Sequence, residues 1–164
     1  WISILLSMML ATEDIFLEDF SDGSLEQTII SNASFPLLIA KKIFIYWLMI
    51  GVPISFLSFL FSLSLTQDFN LSLSIFPLSV VSSYIFLNLF VFGNALSLNK
   101  GSVLGAIITI PLALPVLIIL GKSVIAIEFG INYVEFLLLL LGILSIIITI
   151  VPFIISYVIK AHLE

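Results

Sequence analysis

The sequence predicts an all-α integral membrane protein, a polytopic helical bundle, and three observations support that prediction. Apolar residues make up 62% of the 164 residues and charged residues only 9%, against about 25% charged residues in a typical soluble domain. The mean hydropathy is correspondingly high, at +1.36. Apolar runs long enough to cross a bilayer core of about 30 Å recur along the chain. Finally, six of the ten acidic residues are confined to one short stretch near the beginning.

The first eleven residues, 1–11, are apolar but too short to span a membrane alone. At about 1.5 Å per residue they reach about 16 Å, half of the hydrocarbon core. We expect them to be the end of a span that starts upstream, so that the chain is N-terminally truncated. A signal-peptide remnant is the alternative, but neither a basic region nor a small-residue cleavage site accompanies the run.

Residues 12–35 form what we call the acidic segment, because the clustered carboxylates lie between Thr12 and Gln27. One Asp at the centre of a membrane helix costs about 2.5–3.5 kcal/mol, so this segment is expected in water beside the membrane, on the cytoplasmic side. A short amphipathic helix is predicted, with acidic residues on one face and apolar residues on the other. The acidic face consists of Asp14, Glu18 and Asp22, and the apolar face of Phe16, Leu17 and Phe20. Asp22-Gly23 predicts a break, and Ser24 to Gln27 fits a capping box that begins a new helix.

Four membrane spans are expected after the acidic segment, at about residues 43–65, 71–98, 103–120 and 136–159. Pro36 suits the first turn of a helix that leads into the first span. Tyr46 and Trp47 fall at the depth of an aromatic belt. Pro53 is expected to kink the first span.

Polar residues and prolines inside the later spans are candidates for interhelical contacts or a substrate path. Asn88 and Asn94 are costly against lipid, so they are expected to face other helices, with a place on a path as the alternative. Pro111 and Pro115 free backbone carbonyls near mid-membrane, which is tolerated where protein or a cavity satisfies them. Gly121 to Glu135 is of intermediate polarity and predicts an interfacial or re-entrant stretch.

Orientation follows from the five basic residues, all of them lysines. With the acidic segment inside the cell, the four spans also place four lysines inside, in agreement with the positive-inside rule; they are Lys41, Lys42, Lys100 and Lys160. Only Lys122 then lies outside. The opposite orientation would satisfy the rule once.

Several kinds of chemistry are excluded or disfavoured by the sequence. Cysteine is absent, so no disulfide, thiolate metal site or cysteine nucleophile is available. The chain has neither GxxxxGK[ST] nor GxGxxG, so it does not bind ATP by the usual phosphate loop. His162 is a lone histidine next to the end of the chain. No catalytic residue, metal site or nucleic-acid partner is therefore expected, and the chain is not predicted to be an enzyme.

The sequence DGSLEQ, residues 22–27, resembles the haem exporter protein B family, the permease subunit of the ABC-type transporter in cytochrome c maturation. The resemblance covers most of the chain; it continues at Lys42, Trp47-Leu48, Gly51, Pro53, Ala95-Leu96, residues 100–104 (KGSVL), residues 111–118 (PLALPVLI) and Pro152-Phe153. One departure is Tyr46, where the family usually has histidine. Family members have about six spans, so this chain would lack the first and part of the second.

The resemblance implies an ABC-2-type permease architecture in a bacterial inner membrane, with the mitochondrial inner membrane as the alternative. It implies that the acidic segment docks on a separate ATP-binding subunit through Glu18, Asp19, Asp22, Gly23, Ser24, Leu25, Glu26 and Gln27. Pro53, Asn88, Asn94, Pro111 and Pro115 are the corresponding kink or path residues. The other expected partners are a haem-handling membrane subunit, a haem chaperone, a second permease copy and membrane lipid.

The implied function is to couple ATP hydrolysis on the partner to haem export or release of the haem-loaded chaperone. No cofactor is expected to be bound directly, and haem enters only as a ligand that the complex transports or handles. Two alternatives remain at this stage. One is a permease of the same architecture for another substrate, such as a lipid or drug, and the other is an assembly subunit that transports nothing.

Overall fold

A computed structural model describes residues 1–13, 15, 16, 19, 21, 23, 34–97 and 102–163, with the side chains of residues 102, 103, 162 and 163 left aside. Within these ranges all regular secondary structure is helical, and four helices are long and apolar enough to cross a membrane. The predicted fold class, a polytopic helical membrane protein, is confirmed.

Among the described residues, the elements with defined bounds are α-helices and one π-helical turn. They are α1 (Ile2–Ala11), α2 (Phe35–Tyr46), the π-turn (Trp47–Gly51), α3 (Val52–Thr66), α4 (Phe69–Leu96), α5 (Ser102–Glu128) and α6 (Val134–Leu163). The π-turn joins α2 to α3 without a break, so Phe35–Thr66 forms one apolar helix of 32 residues. Short connections make successive spans antiparallel.

α4 lies at the centre of the bundle. It contacts each of the other helices named above and the π-turn. In its most apolar stretch of 18 residues, 61% is buried, a larger share than in any other described span. Its buried aromatic and aliphatic side chains form the middle of the core, and they include Leu78, Ile85, Phe86, Leu87, Phe90 and Val91. The outer helices α3, α5 and α6 bury one face on α4 and leave their other faces for lipid.

The turn between α3 and α4 contains only Gln67 and Asp68. Gln67 adopts a left-handed conformation with φ of 53°, which ends α3. The Asp68 carboxylate caps α4, since its Oδ1 accepts hydrogen bonds from the backbone N–H groups of Asn70 at 2.9 Å and Leu71 at 3.2 Å. A left-handed residue followed by an N-cap aspartate reverses the chain within two residues.

The first span begins earlier than the sequence predicts. α2 starts at Phe35, with Pro36 in its first turn as expected, rather than at residue 43. Lys41 and Lys42 therefore lie inside the helix and not before it. Lysine is tolerated there because its long apolar stem packs along the helix while the ammonium group reaches polar surroundings.

The third helix runs further than the predicted span 103–120, and its continuity does not fit a re-entrant stretch from Gly121 to Glu135; the interfacial alternative for this stretch stays a prediction. α5 continues as one helix to Glu128, and Gly130, with φ of 67°, ends it. The backbone N–H of Ile131 bonds back to the Ala126 carbonyl at 2.7 Å, which is typical of a helix C-terminus closed by a left-handed glycine. The exposed side chains of Lys122 and Glu128 lie in the last turns of a helix rather than in a loop.

The lysines of the described ranges separate between the two ends of the bundle. Because the spans alternate in direction, the start of α2 and the end of α6 share one end, which brings Lys41, Lys42 and Lys160 to the same end. Lys122 lies at the opposite end, near the end of α5. This grouping is the one that the predicted orientation requires, and Lys100 lies outside the described residues.

Candidate functional site

The described part of the acidic segment packs apolar side chains inward. Thr12, Glu13, Ile15 and Phe16 lie in turns, and Ile15 and Phe16 are each only 2% exposed. Asp19 and Ser21 are helical. Gly23 has φ of 75°, which confirms the predicted break. The rest of the predicted amphipathic helix and the capping box lie outside the described residues, and so do Glu18, Asp22, Ser24, Leu25, Glu26 and Gln27.

Asn94 of α4 anchors the start of the acidic segment. Its Nδ2 donates to the Thr12 carbonyl oxygen at 2.6 Å and lies 3.3 Å from the Thr12 hydroxyl. The Thr12 hydroxyl itself donates to the Met8 carbonyl of α1 at 2.9 Å. Asn94 therefore faces another helix, as predicted. Asn88 is also buried, but its Nδ2 donates to the Tyr84 carbonyl of its own helix, at 2.8 Å.

Lys42 of α2 forms a second anchor. Its ammonium group makes an ion pair with the Asp19 carboxylate and lies 5.4 Å from the centre of the Phe16 ring. The Lys42 and Asp19 side chains are 27% and 37% exposed, so water screens the pair only in part. A cation held by both a carboxylate and an aromatic face ties the acidic segment to the first turns of the first span.

The π-turn follows directly after α2 and is packed by Trp47. The indole N–H of Trp47 donates to the Ser83 hydroxyl of α4 at 3.0 Å, and its ring lies 4.8 Å from the Tyr84 ring. Gly51 leaves room for this indole, because a Cβ at position 51 would lie 2.4 Å from Trp47 Cδ1. Trp47 thus faces α4, and its predicted place at the depth of an aromatic belt stays a prediction.

Pro53 follows the π-turn and explains part of its geometry. Proline has no N–H and crowds the carbonyl four residues before it, which disturbs a regular helix. In this helix the Val52 N–H bonds to the Trp47 carbonyl, five residues back. The Ser55 hydroxyl donates to the Gly51 carbonyl at 2.7 Å. Single π-turns inside α-helices occur frequently at functional sites.

Hydroxyl groups pair along the whole contact between α3 and α4, in what we call the serine ladder. The Oγ–Oγ distances are 3.2 Å for Ser55–Ser83, 3.3 Å for Ser58–Ser79 and 3.2 Å for Ser62–Ser72. This pairing was not predicted from the sequence. The signal was present, because serines three or four residues apart within an apolar run lie on one helical face.

α4 and α5 approach closely where two glycines meet. A Cβ on Gly93 would lie 2.6 Å from the Gly105 carbonyl oxygen, and a Cβ on Gly105 would lie 2.7 Å from the Gly93 carbonyl oxygen. Ser97 and Thr109, each four residues further along, belong to the same contact. Small residues four apart allow membrane helices to pack backbone against backbone.

The three prolines named as kink or path residues lie on the outside of the bundle. Pro53, Pro111 and Pro115 are exposed, and α5 remains helical through both of its prolines. Among the described residues no group of three or more His, Cys, Asp or Glu side chains is placed to hold a metal ion.

The fold and the site together define a polytopic helical membrane protein with a buried central helix and an acidic segment anchored at one end of the bundle. A model of the family described as "CcmB protein" matches residues 1–162. The chain belongs to this family, and the resemblance found in the sequence is confirmed.

Curated relatives agree with the family match. Heme exporter protein B of Haemophilus influenzae is 30% identical over 166 residues, covering 100% of this chain and 75% of that protein. Heme exporter protein B of Pseudomonas aeruginosa is 32% identical over 159 residues, covering 95% and 71%. The protein of the same name from Escherichia coli K12 is 38% identical over 58 residues, covering 35% and 26%.

Proposed function

We propose that this chain is the membrane permease subunit of an ABC transporter complex for cytochrome c biogenesis. It couples ATP hydrolysis on a partner subunit to haem export or to release of a haem-loaded chaperone. The main support for the proposal is the family match over residues 1–162. The relatives named heme exporter protein B agree with it. The chain itself is proposed to bind no cofactor directly and to work in a bacterial inner membrane.

The acidic segment is the proposed docking surface for the ATP-binding subunit. It emerges between α1 and α2, and Asn94 and Lys42 fix its described part to two different helices. A charged surface held in this way favours a partner with complementary basic residues. A displacement of the segment by the partner would be transmitted directly to the spans, because the two anchoring residues, Asn94 and Lys42, lie on the membrane helices α4 and α2.

The outward prolines favour a shared surface rather than a path inside one chain. Pro111 and Pro115 lie on the exposed face of α5, so a path that uses them would have its other wall outside residues 1–164. A second permease copy or the haem-handling subunit would supply the other wall. This placement supports the proposal that the chain works within a larger membrane complex.

Charge reversal of the acidic segment tests the proposal. The variant Glu18→Lys, Asp19→Lys, Asp22→Lys is expected to lower co-purification of the ATP-binding subunit about tenfold or more, which corresponds to about 1.4 kcal/mol. The yield of c-type cytochromes should fall with it. The control is Glu128→Lys, Glu135→Lys, which reverses exposed charges at the opposite end of the bundle.

Unchanged partner binding and cytochrome yield in the acidic-segment variant would contradict the proposal. Normal c-type cytochromes in a strain that lacks the protein would instead favour a permease for another substrate.

A further inference from the structure

Lys42 is the point at which the acidic segment meets the first membrane span. Its ammonium group contacts both the Asp19 carboxylate and the Phe16 ring. Phe16 is buried, so the contact involves the packed side of the segment. Lys41, the next residue back, is exposed and serves as an internal comparison.

α2 is suited to carry a displacement from Lys42 toward the membrane interior. Ile39 and Ile43, which flank Lys42 along the helix, are 3% and 1% exposed, so this part of α2 is packed and moves as a unit. The π-turn begins at Trp47, only five residues after Lys42. Below it, the serine ladder fastens α3 to α4.

The π-turn is the point in this helix where α2 can rotate against α3. A π-turn holds one residue more than an α-helical turn, and one residue corresponds to about 100° of rotation in an α-helix. A change between the two geometries would therefore turn α2 while α3 stays attached to α4. Trp47 sits against Ser83 and Tyr84 of α4 in the present arrangement.

We infer that Lys42 is the positioning residue that transmits movement of the acidic segment into α2, and that the π-turn Trp47–Gly51 converts this movement into rotation of α2 relative to α3. The inference rests on the proposed function, because it names the residue through which a partner's push reaches the membrane. Lys42 acts through Asp19 and Phe16 and does not itself contact the partner.

The test uses the complete complex and variants that separate partner binding from coupling. Lys42→Met keeps a long apolar stem against Phe16 and removes the charge, whereas Lys42→Arg keeps the charge that pairs with Asp19. Lys41→Met is the matched control. Partner binding is measured by co-purification and coupling by the cytochrome yield.

A distance measurement reports the movement itself. The chain has no cysteine, so spin labels can be attached at Ile45→Cys and Phe61→Cys, which are exposed residues on either side of the π-turn. Double electron–electron resonance is recorded with and without ATP in complexes of the unsubstituted, Lys42→Met and Lys41→Met backgrounds, with a cysteine-free partner.

The expected result is normal partner binding in Lys42→Met, Lys42→Arg and Lys41→Met, with a fall of about two- to fivefold in cytochrome yield for Lys42→Met alone, the range typical of a partly exposed ion pair. The ATP-dependent distance change should disappear in Lys42→Met and persist in Lys41→Met. Lys42→Arg should keep most of the yield.

A Lys42→Met complex that keeps both its yield and its distance change overturns the inference and leaves the proposed function standing. Loss of partner binding in Lys42→Met also overturns it, since Lys42 would then be part of the docking surface. Failure of the unsubstituted chain to bind an ATP-binding subunit would instead overturn the proposed function.

Discussion

Gly93 and Gly105 determine how closely α4 and α5 approach. Each glycine faces the backbone of the other helix, and a Cβ on Gly93 would also lie 2.4 Å from the methyl group of Thr109, a β-branched side chain with little freedom to move aside. Backbone contact of this kind gives dispersion energy without the entropy cost of ordering a side chain. A methyl group at either position would have to push the helices apart.

Gly93→Ala is therefore expected to destabilise the protein by about 1–3 kcal/mol, as overpacking does in tightly packed cores. The measurement is the midpoint of thermal unfolding in detergent. Gly142→Ala in α6 is the control, because its Cβ would meet nothing within 4 Å. That substitution should be neutral or slightly stabilising, since alanine is the better helix former. Equal effects of the two substitutions would argue against the close crossing.

Asn94→Leu is expected to destabilise the protein by about 0.6 kcal/mol and by at most about 1.7 kcal/mol, the average and the maximum measured for interhelical hydrogen bonds in a membrane protein. The substitution removes the contacts from Asn94 to Thr12 and frees the start of the acidic segment. Asn88→Leu should cost less, because its Nδ2 bonds within α4. Protease sensitivity of the acidic segment is the measurement, and it should rise only in Asn94→Leu.

For a single polar residue, the sequence predicts that its side chain needs a hydrogen-bond partner but not which residue that partner is. An asparagine in an apolar helix must find a partner, so its inward direction was predictable. The partner, Thr12, lies 82 residues away, and nothing local to Asn94 identifies it. Trp47 shows the same limit. Its position after two lysines predicts its depth in the membrane, but not that it packs against Tyr84 and Ser83 of α4.

At the scale of helices, the serine ladder holds α3 and α4 in one register. Ser58→Ala and Ser79→Ala are each expected to cost about 0.6 kcal/mol, and their double mutant should cost less than the sum, because both substitutions remove the same contact. Ser64→Ala, on the exposed face of α3, is the control. The measurement is the free energy of unfolding of the unsubstituted protein, Ser58→Ala, Ser79→Ala and their double mutant, which form the cycle, and of the control Ser64→Ala. Strict additivity would show that the two hydroxyls are not coupled.

Helix existence was predictable, but helix ends were not. The apolar runs are long enough to identify all four spans, because hydropathy and bilayer thickness decide whether a helix crosses. Lys41 and Lys122 were treated as boundaries, yet both lie within helices. A long lysine stem allows a charged residue to remain helical near a membrane surface. Capping residues such as Gly130 were the better signal for the end of α5.

At the scale of the whole molecule, the antiparallel spans predict which residues share a side of the membrane. Single cysteines are informative because residues 1–164 contain none. Lys41→Cys and Lys160→Cys are expected to react with a membrane-impermeant maleimide from the cytoplasmic side, following the positive-inside rule. Gln67→Cys and Asn132→Cys, in the turns at the other end, should react from the opposite side. Labelling of Lys41→Cys and Gln67→Cys from the same side would contradict the topology.

The two-residue turn at Gln67 and Asp68 affects how the protein enters the bilayer during synthesis. With so short a link, α3 cannot settle in the membrane long before α4 leaves the ribosome. The hydroxyls of Ser58 and Ser62 also reach their α4 partners only once that helix has arrived. The insertion machinery is therefore expected to release the two helices together, as a preformed hairpin.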